Sequence, residues 1–192
     1  MSGSEVTQKG RLAKQAAHKL ALTSTMTRNY ALEKMAEALD KNAKYILQAN
    51  AIDLEAGEKK EISRSLLDRL ALDGKRIKAM IEGLNVVKSL PDPLGETLAE
   101  WTRPNGLKIK KVRVPLGVIG IIYEARPNVT ADSAALCIKS GNAVILRGGS
   151  DALQSNIEIS KILSDAAYNA GLPEGAIQLI ADTRRETAEE LM

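Results

Sequence analysis

Apolar positions recur at helical spacing through roughly the first ninety residues. In the stretch 29–50, NYALEKMAEALDKNAKYILQAN, Leu32, Met35, Leu39, Ile46 and Leu47 fall close to one face. Glu33, Lys34, Glu37, Asp40, Lys41 and Lys44 cover the other, so the spacing predicts an amphipathic helix. Further helices fit 63–70 and 73–90, the latter with Asp73 as its N-cap. PDPLGE, residues 91–96, breaks the pattern.

The period then changes. In WTRPNGLKIKKVRVPLG, Asn105-Gly106 lies between two short runs, which is a strong signal for a hairpin turn. Leu107, Ile109, Val112 and Val114 roughly alternate with basic residues. Arg103, Lys108, Lys110, Lys111 and Arg113 carry no acid among them. They read either as an anion patch or as the solvated face of an exposed ribbon, since lysines commonly protect edge strands.

From Val114 the chain alternates strand and helix. GVIGIIYE, NAVILRGG and AIQLIAD are apolar runs of strand length. VTADSAALCIKSG and SDALQSNIEISKILSDAAYNAG are helices between them, stopped by Gly141 and Gly171. Thr130 or Asp132 is the expected cap of the first. TRRETAEELM opens another helix with no stop signal before Met192, as the front part of something longer would. Continuous apolar strands joined by helices imply a parallel sheet buried on both faces with right-handed crossovers. The expected fold class is α/β.

Composition narrows the chemistry. Charged residues are 27% and hydrophobic ones 44%, as in an ordinary globular domain. With no Phe and one Trp, the core must rest on Leu, Ile, Val, Ala and Met. A net charge of +3 is too small to argue for nucleic acid. One Cys and one His cannot build a zinc site or an internal disulfide, which points to a reducing, cytoplasmic setting. No run approaches the length of a membrane span, and MSGSEVTQKGRL lacks the apolar core of a signal peptide.

In open parallel sheets, ligands sit beyond the carboxyl ends of the strands. Residues 124–128, 147–151 and 182–185 are therefore the ones to weigh. Gly148 and Gly149 let the backbone pass close to a ligand, Arg147 adds a fork of donors suited to phosphate, and Ser150 can cap the next helix. Asp151 argues against a bare phosphate on that helix axis, because it already occupies the positive end. The same spacing also suits a plain strand–helix connection. GGSDA nearly matches a nucleophile elbow, but the only His is far upstream at His18, which is expected to face solvent. Asn128, after Pro127, can either cap a helix or donate to a developing oxyanion in the cleft. Cys137 lies mid-helix between Leu136 and Ile138 and reads as a small buried hydrophobe.

VPLGVIGIIYEARPNVTADSAALCIKSGNAVILRGGSDALQSN, followed in register by AGLPEGAIQLI, closely resembles the gamma-glutamyl phosphate reductase family, also called glutamate-5-semialdehyde dehydrogenase, within the aldehyde dehydrogenase superfamily. The N-terminal helices and the ribbon share the likeness, which covers essentially the whole chain but only the N-terminal portion of the family's length. The resemblance implies NADPH-dependent reduction of L-glutamate 5-phosphate to L-glutamate 5-semialdehyde and phosphate, in proline biosynthesis. It implies a Rossmann-like NADP-binding unit at 115–192, preceded by a helical part of the cofactor domain at 1–96. The ribbon, 97–114, corresponds to an oligomerisation arm, so a homo-oligomer is expected. Asn128 matches the superfamily asparagine of the oxyanion hole. Arg147, Gly148, Gly149 and Ser150 fall at the adenosine ribose, where NAD-preferring relatives carry a glutamate in place of Ser150. The segment around Pro173 resembles the superfamily turn beside the adenine half of the cofactor. The family's nucleophilic cysteine lies in a catalytic domain that would follow Met192. By this resemblance the chain lacks both that domain and its cysteine, and is expected to be inactive alone; the alternative readings are a non-catalytic nucleotide-binding or oligomerisation module, or another aldehyde or semialdehyde dehydrogenase.

Overall fold

A computed structural model describes residues 4–192. Five helices come first: α1 Glu5–Leu20, α2 Thr25–Lys41, α3 Ala43–Lys59, α4 Arg64–Leu70 and α5 Gly74–Ser89. Their starts follow local chemistry. Ser24, Ser63 and Asp73 accept from the backbone N–H groups of Thr27, Leu66 and Arg76, satisfying donors that the first helical turn leaves free. The single helix expected over 29–50 is in fact two. It breaks at Asn42, whose amide Nδ2 and backbone N–H both donate to the Ala38 carbonyl. An Asn that bonds its own helix's backbone offers the chain a way out of the helix. Leu32, Met35, Leu39 and Ile46 are buried as expected, and Leu47 is half-buried.

Next come strands β1 Thr97–Thr102 and β2 Lys108–Val112, an antiparallel hairpin with Gly106 at φ 83° in the turn. All of β1 and all of β2 except Ile109 are exposed. Lys110 pairs with Glu100 at 3.3 Å and Arg113 with Glu96 at 2.6 Å, so part of the basic run is matched across the ribbon itself. Arg103, Lys108 and Lys111 remain on its solvated surface.

The remainder alternates: β3 Val118–Ile122, α6 Asn128–Lys139, β4 Ala143–Arg147, a 3₁₀ turn Ser150–Ala152, α7 Leu153–Asn169, β5 Ile177–Leu179 and α8 Arg185–Leu191. The strands form a parallel sheet in the order β3-β4-β5. β4 is central and its side chains alternate between two cores. Val144 and Leu146 join the main cluster with α2, α5, α6 and α7, while Ala143 and Ile145 face a smaller one under α1 with Val6, Ala13, Ala17 and Ile180. The sheet is thus covered on both faces, as its continuous apolar strands require. The main core is aliphatic: Leu20, Leu32, Leu39, Leu84, Ile138, Leu146, Ile159 and Leu163 are fully enclosed.

Two helix ends follow the glycine signal. Gly141 and Gly171 have φ values of 72° and 97°, and the residues after them donate back to Cys137 and Ala167 carbonyls. Other expectations at helix starts fail. α6 begins at Asn128 with no side-chain cap among the described residues. Thr130 and Asp132, the expected caps, lie inside it. Among the described residues, no helix is long and apolar enough to cross a membrane.

Candidate active site at the strand ends

The carboxyl ends of β3, β4 and β5 lie on one side of the sheet because the strands are parallel. This brings together the segments 123–128, 147–151 and 180–185. Tyr123 donates its N–H to the Arg147 carbonyl at 3.1 Å, and Ile180 donates to Leu146 at 2.8 Å. The Pro173 segment does not join them. It precedes β5, so it lies at the amino end of the sheet, where Gly175 at φ 91° passes against Leu12 of α1. Its close packing there is a structural turn, at the end opposite Arg147.

Arg147 is half-buried. Its Nη2 donates to the carbonyls of Thr183 and Arg184 at 2.8 and 3.3 Å, tying the end of β4 to the loop after β5. Its Nε is buried without a hydrogen-bond partner among the described residues. No carboxylate pairs with it there. Asp151 faces Lys60 at 3.3 Å. Asp182 is bound by Arg184, whose guanidinium and backbone N–H pull its carboxyl down to about 2, with the Arg147 charge adding to the effect.

Of the two glycines after Arg147, Gly148 is the one that close packing requires. A Cβ on Gly148 would lie 2.2 Å from Asn156 Nδ2 and 3.2 Å from the Tyr123 ring. One on Gly149 would rest at 3.5 Å on the backbone of Glu124 and Ala125. Beneath Gly148, the Tyr123 hydroxyl meets Thr130 Oγ1 at 2.6 Å, and Thr130 donates to Asn156 Oδ1 at 2.9 Å. Burial pushes the Tyr123 phenol up to about 12, so it stays a neutral donor.

Ser150 does not cap α7. That helix starts beyond the 3₁₀ turn, and its first turn is held by Asp53 of α3. Asp53 accepts from the N–H groups of Gln154 and Ser155 at 3.0 and 2.8 Å and from the Ser155 hydroxyl at 2.6 Å. A buried carboxylate thus fills the positive helix end where an α/β protein would otherwise hold an anion. Asn50, one turn earlier, donates to the Leu70 carbonyl and to Ser155 Oγ, fastening α4 to the same place.

Asn128 is exposed and opens onto a cavity of about 450 Å³. Its Nδ2 donates to Asp132 Oδ2 at 3.1 Å, one turn further along α6. That bond orients the amide with its second N–H free, the donor an oxyanion would need. Cys137 and His18 take no part. Cys137 is 4% exposed and its thiol is pushed up to about 11 by burial, which suppresses the thiolate. His18 is on the outer surface of α1. The strand-end rule took in Arg126 within 124–128, but it did not point to Asp53, to Asp132 as the orienting group, or to Arg69 of α4, which lines the same cavity as Asn128.

The chain belongs to the aldehyde dehydrogenase family, whose model matches residues 1–192. Among its relatives is the gamma-glutamyl phosphate reductase of Heliobacterium modesticaldum, 59% identical over 189 residues, covering 98% of this chain and 45% of that protein. The gamma-glutamyl phosphate reductase of Thermotoga maritima superposes with a TM-score of 0.96 at 44% identity, covering 98% of this chain and 45% of that one. The Saccharomyces cerevisiae protein of the same name gives 0.91 at 34% identity, covering 100% and 50%. The chain therefore spans about half the length of the relatives it matches.

Proposed function

We propose that this chain is the cofactor-binding side of a reductase that converts L-glutamate 5-phosphate to L-glutamate 5-semialdehyde and phosphate. The observation that carries this reading is the 59% identity over 98% of the chain with proteins named for that activity. In the proposed reaction a cysteine thiolate displaces phosphate from the acyl carbon, and a hydride then converts the resulting thioester to the aldehyde and restores the thiolate. The cysteine belongs to the part of the relatives' length that these 192 residues do not span, since Cys137 is buried in α6. Asn128 donates to the oxygen that gains charge as the acyl carbon becomes tetrahedral. Asp132 keeps its amide turned for that task.

NADPH, when bound, supplies the hydride. The residues at the end of β4 fit the adenosine end of that cofactor. Arg147 brings a cation with an unpartnered buried Nε, and Ser150 adds a hydroxyl without a negative charge. Of the nearby acids, Asp151 is tied up by Lys60 and Asp182 by Arg184. Asp53 excludes the pyrophosphate from the end of α7, so these residues serve the ribose and its 2′-phosphate.

Titration of the purified full-length protein with NADPH and NADH tests this. Arg147→Glu is expected to weaken NADPH binding by about tenfold or more and to leave NADH within about twofold. Equal binding of the two nucleotides by the unmodified protein would remove the 2′-phosphate role. The 192 residues alone are expected to oxidise no NADPH with the acyl phosphate. Turnover abolished by Cys137→Ser would overturn that. The exposed ribbon, with Leu98 and Trp101 each 45% open, supports its reading as a pairing arm between copies in a homo-oligomer of a cytoplasmic enzyme.

A further inference from the structure

The cavity beside Asn128 contains more than an oxyanion donor. Arg69 of α4 and Arg126, two residues before Asn128, line it together with Asp132. Neither arginine side chain has a hydrogen bond or ion pair among the described residues. A third, Arg76, is engaged in holding the Asp68 carboxylate at 2.9 Å and the Ala71 carbonyl at 2.6 Å. Asp132 is half-buried and meets no cation. Its one hydrogen-bond partner among the described residues is the Asn128 amide, and burial raises its carboxyl above the ordinary range. Gly83 of α5 leaves space over it, since a Cβ there would lie 3.4 Å from Asp132 Oδ1. One cavity thus presents two unspent guanidinium groups and one carboxylate that lacks a counter-charge, next to the proposed reacting end.

We infer that this cavity recognises the α-amino-acid head of the substrate, with Asp132 receiving the α-ammonium and Arg69 and Arg126 the α-carboxylate. The inference rests on the proposed reductase function and deepens it. Scale agrees: Asn128 Nδ2 and Asp132 Oδ2 are 3.1 Å apart, so ligand groups bonded to the free N–H of one and the free oxygen of the other stand a short carbon spacer apart, as the acyl oxygen and α-nitrogen of a glutamyl chain do. Charge agrees as well. An ammonium would neutralise a carboxylate that burial now disfavours, and a carboxylate suits the planar fork of an arginine.

Calorimetric titration of the full-length protein with L-glutamate, glutarate and 4-aminobutyrate tests the assignment. Glutarate lacks the ammonium and 4-aminobutyrate lacks the α-carboxylate. L-Glutamate is expected to bind at least about tenfold more tightly than either, because a site built to bond a polar group rejects the analogue without it. Asp132→Asn should erase the preference over glutarate and leave that over 4-aminobutyrate. Arg126→Gln or Arg69→Gln should do the converse, and both arginines are exposed, so these variants keep the fold. Equal binding of the three ligands, no binding, or a uniform loss in every variant would overturn the inference. The reductase assay is read separately. Selective binding without reduction of the acyl phosphate would remove the proposed function and leave the pocket, whereas reduction without selective binding would do the reverse.

Discussion

α6 and α7 both start at the carboxyl edge of the parallel sheet, after neighbouring strands, yet they treat the space before them in opposite ways. α7 is closed: Asp53, from a helix a hundred residues earlier in the chain, accepts from its first-turn N–H groups. α6 is open: it has no side-chain cap among the described residues, and its first residue, Asn128, borders a cavity. A helix N-terminus attracts whatever negative charge can reach it. Here the protein's own carboxylate takes one, and the other meets no side-chain cap among the described residues. Two strand–helix turns that look alike in sequence therefore differ in whether the chain itself fills the helix end.

Removing the plug is the largest way to break the contrast. Asp53→Ala deletes two charge-assisted backbone bonds and leaves the buried Ser155 hydroxyl without its shortest partner. The expected loss is about 2–4 kcal/mol in urea unfolding. The same variant should let α7 take up an anion, so added phosphate should raise its melting temperature more than that of the unmodified chain. A loss below about 1 kcal/mol would mean that Asp53 is incidental to α7.

The two turns are also mechanically joined. Thr130 of α6 donates to Asn156 of α7, and Gly148 packs on that same Asn156 amide. Gly148→Ala should cost about 1–3 kcal/mol by forcing the amide aside. Combining it with Asn156→Ala should cost less than the sum of the two changes, because the clash is then gone. Strict additivity in a double-mutant cycle would show that the glycine answers to something other than Asn156.

Much of this architecture was legible because its cause was local. Ser63 and Asp73 cap the helices their side chains begin, Gly141 and Gly171 end helices at positive φ, and Asn105-Gly106 turns the ribbon. Asn128 could be singled out because it follows a strand that must end at the ligand side of the sheet. The break at Asn42 was missed because the apolar stripe continues in register across it from Leu39 to Ile46, and only the amide's bond to Ala38 parts the helices. Asp53 and Arg69 were beyond reach for a different reason. On the helical pattern each is one more polar residue on a surface face, and what it meets comes from far along the chain. Thr130 had the residue type of a cap, but its hydroxyl is used to link two helices.

Asp151 gives the smallest effect and the sharpest contrast. By sequence it is the acid nearest the start of α7, and so the natural candidate to neutralise it. In the fold it instead reaches sideways to Lys60 at 3.3 Å, and the lysine side chain is 57% exposed. Exposed pairs of this kind contribute little, since solvent screens them and two long side chains must be held still. Asp151→Ala should therefore change stability by no more than about 0.5 kcal/mol in the same urea titration, several times less than Asp53→Ala. A comparable loss from both would mean that α7 draws on two acids, and the distinction between a plugged and an open helix end would rest on α6 alone.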